Sequence, residues 1–381
     1  MKKLKRAFAF GWNAELIIAM NTDTDRIEIG TSGQTLAAKN MELSEKTRVT
    51  TPGRSGRQYI VPRKKTVDHV AIRKMAETEP YRIESELARG AESVLYTGDL
   101  QGQQICIKCV RGFLNKIIGD NVTRRQEERL EKVSYRTKER HIVNEYEVSK
   151  LVCWDSGDIP LVHIYALRKV KKFGLELGYD LIMEYLSGHD LADKALVKSL
   201  SVEDKIDVFV QAIQALAYFH SKRLIHLDIK PSNFILNNGR VKLLDFGVSV
   251  GDGFKPMAIT GTGGYLSPEQ ICKAPLNSGT DIFALGVTFA VFFGAKPLNQ
   301  PQSSLVQKQF RADAKYHLER DAMPSIIDIP ELDEYEELAD IIRECTIPKR
   351  EMRVGSSQGL LLRVKDWAKA NNIALPSLAK P

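Results

Sequence analysis

Residues 225–236 read IHLDIKPSNFIL. Two apolar strand-like flanks enclose a polar knot of His226, Asp228, Lys230 and Asn233. Downstream comes Lys242-Leu-Leu-Asp245-Phe246-Gly247, again apolar residues leading into an acid. Two carboxylates and an amide on neighbouring strand-like segments suit Mg²⁺, which takes few protein oxygens and completes its shell with phosphate oxygens. A further Asp can accept a proton from an attacking hydroxyl. A Lys two residues on can neutralise a moving phosphoryl group. The stretch therefore points to phosphoryl chemistry on a loop pinned by its apolar ends.

The surrounding sequence agrees with a large soluble chain. It has 381 residues, 43% of them hydrophobic and 27% charged, with a net charge of +7. At about 150 residues per domain this length suggests two or three units. The mild basic excess favours anionic partners without choosing among them. The five cysteines, Cys106, Cys109, Cys153, Cys272 and Cys345, are scattered; one C-x-x-C has no second pair at zinc-site spacing. They read as reduced thiols, mostly buried, in a reducing compartment such as the cytoplasm. The N-terminal apolar stretch is interrupted by Asn13 and Glu15, unlike a signal peptide. The longest apolar run, residues 282–295, is too short to span a bilayer and suits a buried helix, so no transmembrane segment is expected.

Residues 26–30 (RIEIG) alternate like a strand. Residues 46–74 carry nine bases against the single acid Asp68 and read as a solvated linker or small β-subdomain, or as a docking arm for an anionic partner: nucleic acid, lipid or an acidic protein. From residue 81 strand patterns dominate: Leu95–Tyr96 and Ile105–Val110 flank a Gly98–Gly102 turn, and Asp180–Tyr185 follows later. Residues 124–141 are densely charged and helical in propensity, and a helix is expected around His141–Val152. After Ser187-Gly188 the pattern becomes helical, with a capping-box-like Ser201-x-x-Asp204 ahead of Ile206, Phe209, Val210, Ile213 and Leu216. A strand-rich first part and a helix-rich second part predict two lobes around a cleft.

These motifs resemble the eukaryotic-type serine/threonine protein kinase family, whose catalytic loop reads H-R-D-x-K-x-x-N and whose metal motif is D-F-G. The resemblance covers roughly residues 84–360. It implies an α+β, bilobal protein-kinase-like fold with a β-rich N-lobe and a mainly helical C-lobe. The expected division is 1–80 as a basic N-terminal extension, 81–183 as N-lobe with a charged helical insertion near 111–141, 184–370 as C-lobe, and 371–381 as a tail. Ile105-Cys-Ile-Lys108 is similar to the family's V-A-I-K strand, which makes Lys108 the clamp on the ATP phosphates. By the same resemblance Met183 is the gatekeeper, the Glu184–Leu186 backbone meets adenine, and Asp190 meets the ribose. Asp228 would be the catalytic base, Lys230 would contact the γ-phosphoryl, Thr262 would brace both, and Asn233 and Asp245 would hold Mg²⁺. His226 and Phe246 are expected as packing elements of an internal spine. The partner of Lys108 is Glu145 by register, or Glu147, which has Leu151 four residues on. Gly261-Thr-Gly-Gly-Tyr-Leu-Ser-Pro-Glu269 is similar to the end of the activation segment, Asp281-Ile-Phe-Ala-Leu-Gly286 to the D-x-W-x-x-G helix, and Arg353 would pair with Glu269.

Three departures stand out. The phosphate loop, residues 87–95, keeps only Gly90, with Ala88 and Ser93 in place of the flanking glycines and Glu92 near where phosphates would lie. Leu227 replaces the arginine that receives an activation-loop phosphate in the family, and Ala258 occupies a common phosphosite, so activity is expected not to require that phosphorylation. Thr260 is a candidate for incidental autophosphorylation, and Arg63-Lys-Lys-Thr66 resembles a basophilic substrate site. The expected activity is transfer of the ATP γ-phosphoryl to serine or threonine of a protein substrate. A small-molecule kinase on the same fold and an ATP-binding pseudokinase scaffold are the alternatives.

Overall fold

The computed structural model describes residues 67–119, 133–153, 158–296 and 328–378. Residues 1–66 lie outside this set, and with them residues 26–30, Thr66 and most of the basic 46–74 segment; so do residues 124–132 of the charged stretch 124–141. From His69 onward the described residues belong to one compact unit.

Helix α1 (His69–Thr78) precedes β1 (Arg82–Arg89), β2 (Val94–Leu100) and β3 (Gln103–Arg111). The short helix α2 (Phe113–Ile118) and the long α3 (Tyr135–Val152) then lead to β4 (Ile164–Lys172) and β5 (Leu175–Glu184). The five strands form one antiparallel sheet in the order β1-β2-β3-β5-β4. The β2–β3 pair is longer than its apolar kernel suggests, because flanking polar residues continue the ladder as far as Leu100 and Gln103. The chain reverses there over Gln101 and Gly102, both at positive φ (53° and 83°), the conformation of a two-residue hairpin turn. Helix α3 starts at Tyr135, a turn and a half before the apolar run, because Ser134 caps it through a 3.2 Å bond from the Thr137 amide. Helix α1 packs on β4: Ile72 and Ala76 are buried, and Arg168 donates to the Ala76 carbonyl at 2.7 Å.

The second lobe begins with β6 (His189–Asp190), α4 (Lys194–Ser199) and α5 (Val202–Ser221). Ser201 and Asp204 close both bonds of a capping box at the start of α5. After β7 (Leu224–Ile225) come β8 (Phe234–Asn237), β9 (Arg240–Leu243) and β10 (Val250–Gly251). β6, β8 and β9 form a small sheet, and β10 pairs with β7. Helices α6 (Pro268–Ile271), α7 (Ser278–Phe292), α8 (Glu336–Cys345) and α9 (Ser357–Ala370) complete the lobe. α7 is the apolar run of the sequence. It is buried almost all round, and α5 and α8 pack directly on it. No helix among the described residues is long and apolar enough to cross a membrane. The bilobal α+β expectation is met. The continuous core runs from β5 and α3 through α5 and α7 to α9, so the lobes share apolar packing across the cleft. All five cysteines are free, and Cys272 alone is only half-buried.

Candidate active site

The loop between β7 and β8 is held from beneath by α7. Asp281, fully buried, accepts bonds from the backbone N–H of His226 (2.7 Å) and of Leu227 (2.9 Å) and contacts His220 Nε2 at 2.9 Å. The Asp228 N–H points at His226 Nδ1 (3.3 Å), which leaves Nε2 to donate to the Leu244 carbonyl at 2.9 Å. The imidazole is thus committed on both sides and fully buried against Phe219 and Phe246.

Held this way, the polar side chains of the loop converge. Thr262 Oγ1 donates to Asp228 Oδ1 at 2.6 Å and accepts from Lys230 Nζ at 2.8 Å. Lys230 also lies 2.8 Å from Asp228 Oδ2. Asn233 Nδ2 donates to the Asp228 carbonyl at 2.7 Å and lies 3.2 Å from Oδ2. Its amide nitrogen therefore faces Asp228. Thr262 is brought in by the chain after Gly261, whose φ of 117° and 2.6 Å Cβ approach to the Leu227 carbonyl admit only glycine.

A second cluster spans the lobes. Lys108, in mid-β3, reaches Glu145 of α3 at 2.7 Å and Asp245 at 3.0 Å. Glu145 is the residue brought to Lys108; Glu147 instead pairs with Lys150 at 2.5 Å on the outer face of the helix. Asp245 follows β9 with φ 61°, a left-handed backbone that turns its carboxylate toward Lys108. One ammonium between two carboxylates sets the electrostatics. Burial of Glu145, its side chain only 2% exposed, pushes its pKa from 4.5 up to about 7; Lys108 opposes this and the Asp245 charge adds to it. For Asp245 burial acts upward, but Lys108 outweighs it and holds the carboxyl down at about 2. Lys108, despite its own desolvation, is raised by the two acids and remains charged.

Met183 is buried on β5 opposite Cys106. Glu184 closes the strand, its carboxylate 2.9 Å from Lys242 and its N–H bonded to the His163 carbonyl at 2.8 Å. That N–H is therefore taken within the protein. Leu186 is half-buried just beyond, and Asp190 Oδ1 accepts from the Ala192 N–H at 2.9 Å. In the phosphate loop, the Gly90 N–H bonds the Ser93 carbonyl at 2.9 Å; Ala88 sits in register with Leu95 on β2, and Ser93 is buried. Glu92 turns to His141 of α3, 2.6 Å away, which removes the repulsion its position suggested.

Some contributors carried no motif. Asn144 Nδ2 lies within bonding distance of the carbonyls of Phe246 (3.4 Å), Gly247 (3.0 Å) and Ser249 (3.0 Å), tying α3 to the segment after Asp245. Its only local signal is an amide residue in a helix interior, where its propensity is poor. Gln270 Nε2 donates to the carbonyls of Leu227 (3.0 Å) and Thr260 (2.9 Å). Leu227, 4% exposed, packs with Ile225, Val250 and Leu276, flanked by Val248 and Phe254. An apolar cluster therefore occupies the place of a cationic pocket. Glu269 and Arg353 form a buried two-bond pair at 2.6 and 2.9 Å.

Comparison with known proteins places this constellation in context. A family model for the protein kinase domain matches residues 81–362. The yeast MAP kinase kinase MKK1/SSP32 (Saccharomyces cerevisiae) is 39% identical over 118 residues, 28% of this chain and 23% of that protein. Aurora kinase C of Mus musculus is 34% identical over 160 residues, 40% of this chain and 56% of that protein. Calcium/calmodulin-dependent protein kinase type 1 of Caenorhabditis elegans is 23% identical over 253 residues, 62% of this chain and 64% of that protein. In each case the match spans less than two thirds of the relative's own length.

Proposed function

Because this chain belongs to the protein kinase family, we propose that it transfers the γ-phosphoryl of MgATP to serine or threonine side chains of proteins. The observation that carries the proposal is the convergence of two clusters, Lys108–Glu145–Asp245 and Asp228–Lys230–Thr262–Asn233, in one described unit. In this reading Asp228 takes the proton of the attacking hydroxyl as its oxygen bonds to the γ-phosphorus and the bond to the β-phosphate oxygen breaks, releasing ADP. Lys230 neutralises charge on the transferring group, and Thr262 fixes the rotamers of both. Lys108, oriented by Glu145, clamps the ATP phosphates. The adenine sits at Glu184–Leu186 behind Met183, the ribose near Asp190, and the phosphates under Ala88, Gly90 and Ser93.

The donor set fits Mg²⁺. Asp245 offers a carboxylate whose side chain is 44% exposed, and Asn233, its nitrogen facing Asp228, has a carbonyl oxygen to give. Phosphate oxygens and water would complete the shell. The bound ion would neutralise phosphate charge.

Activity is proposed to be independent of activation-loop phosphorylation. Leu227 cannot receive a phosphate, and the segment is already held by β10–β7 pairing, by Asn144 and by the apolar cluster. The chain is further proposed to act in the cytoplasm, with the basic segment 46–74 as an arm for an anionic partner. The test is transfer of label from [γ-³²P]ATP to the chain itself and to a generic basic protein, followed by phosphoamino-acid analysis. Phosphoserine or phosphothreonine that vanishes in Asp228→Ala supports the reading; label on tyrosine, or label unchanged in the variant, overturns it.

A further inference from the structure

Three hairpins among the described residues reverse over two residues at positive φ, and in all three the second is glycine: Gln101-Gly102, Phe173-Gly174 and Asn238-Gly239. Asn at the first position tolerates the left-handed backbone best; a bulky aromatic strains it. Phe173 nevertheless stands there at φ 52°, with 83% of its surface exposed. Among the described residues its one ring contact is with Lys172, whose Nζ lies 5.7 Å from the ring centroid. No buried contact among the described residues offsets the strain.

Its surroundings are selective. The five residues from Lys171 to Leu175 are all exposed, Leu175 by 49%. Lys169 is neutralised by Glu176 at 2.8 Å, but neither Lys171 nor Lys172 pairs with an acid among the described residues. Helix α2 starts at the same end of the sheet, since the Gly112 N–H bonds the Leu177 carbonyl at 2.8 Å. One turn apart on that helix, Phe113 and Ile117 are 71% and 55% exposed.

We propose that the β4–β5 hairpin tip is a membrane-surface contact, in which Phe173 enters the head-group layer of an anionic bilayer while Lys171 and Lys172 meet its phosphates. The tip is a two-residue hairpin turn with every residue from 171 to 175 exposed, an apex rather than a groove. Lys, Lys, Phe, Gly and Leu include no amide for adenine and no carboxylate for cytosine, so the tip lacks part of the side-chain set that reads base edges. An apolar apex flanked by lysines matches the boundary between acyl chains and anionic head groups. This inference is independent of the catalytic reading, because no residue of the tip belongs to either polar cluster.

The experiment is flotation of the full chain, without nucleotide, with vesicles of phosphatidylcholine alone or mixed with phosphatidylserine. Phe173→Asn is the decisive variant. It restores the residue type this turn prefers, so its thermal midpoint should equal or exceed that of the parent, and lost binding cannot be blamed on misfolding. The parent chain should bind the anionic vesicles and not the neutral ones. Phe173→Asn should weaken that binding about tenfold or more, and Lys171→Gln with Lys172→Gln about 30-fold. The proposal is overturned if the parent chain shows no preference for anionic vesicles. It is equally overturned if Phe173→Asn binds them as the parent does, which would place binding elsewhere. It also falls if the variants lose affinity only for an oligonucleotide or an acidic protein.

Discussion

Glu145→Gln should damage activity while stabilising the protein at alkaline pH. In the free protein the Glu145 carboxyl is raised from 4.5 to about 7. A raised acid binds its proton more tightly folded than unfolded, so wild-type stability falls as pH rises from 4.5 through 7 and stays reduced above. At about 1.4 kcal/mol per pH unit the loss is about 3 kcal/mol. Gln keeps the shape and a bond to Lys108 but has no proton to lose, and Asp245, 3.0 Å away, still neutralises the ammonium. At pH 5 the two proteins should melt together. At pH 8 the variant should melt higher by about 6 °C, taking about 2 °C per kcal/mol for a domain of this size. Its turnover should nonetheless fall about 100-fold, because the neutral amide no longer supplies the carboxylate charge that orients the Lys108 ammonium. The assay is thermal unfolding of the nucleotide-free protein in EDTA across pH 5 to 8. A melting difference that does not vary with pH, or a variant less stable at pH 8, would refute the reasoning.

Three further outcomes follow from the geometry. Leu227→Arg would place a charge in the cluster of Ile225, Val250 and Leu276; unfolding in urea should show a loss of several kcal/mol, and stability equal to wild type would mean that the apolar cluster does not hold the segment. Glu269→Ala would leave the Arg353 guanidinium, buried and fully enclosed, without its carboxylate, and should cost about 3–5 kcal/mol in the same assay; a cost near zero would count against the buried pair. Asn144→Leu would free the carbonyls of Phe246, Gly247 and Ser249, should cost about 1–3 kcal/mol, and should speed amide exchange between residues 246 and 251; unchanged exchange there would remove Asn144 from any positioning role.

The sequence was most legible where chemistry constrains residue identity. IHLDIKPSNFIL, the Lys108 strand and the Asp245 motif stood out in the sequence, and the structure gathers their polar side chains into two clusters. Two lobes were legible from the change of hydrophobic period. What escaped was what depends on packing between distant segments. Glu145 and Glu147 are two apart on one helix, and only the helix's rotation, fixed by burial of Ile142 and Val148, decides which faces Lys108. The Glu92–His141 contact and the three bonds of Asn144 join residues with no shared pattern. Helix α1 overlaps the end of a stretch read as a linker, small β-subdomain or docking arm; its short apolar stripe, Ile72 and Ala76, shows its purpose only once it is buried against β4. The strain at Phe173 is invisible in sequence, since Phe-Gly reads as a turn only once both φ values are known.

The central claim is that Asp228 acts on the attacking hydroxyl rather than in binding nucleotide. Asp228 accepts its bonds from Thr262, Lys230 and Asn233, while Lys108 and Asp245 form the separate cluster proposed to hold the phosphates and metal. The direct test measures MgATP affinity and the rate of phosphoryl transfer for wild type and Asp228→Asn. The account predicts a Kd within about twofold of wild type and a rate lower by about a thousandfold. A variant that transfers phosphate at the wild-type rate, or that loses ATP binding in proportion to its activity, would contradict it.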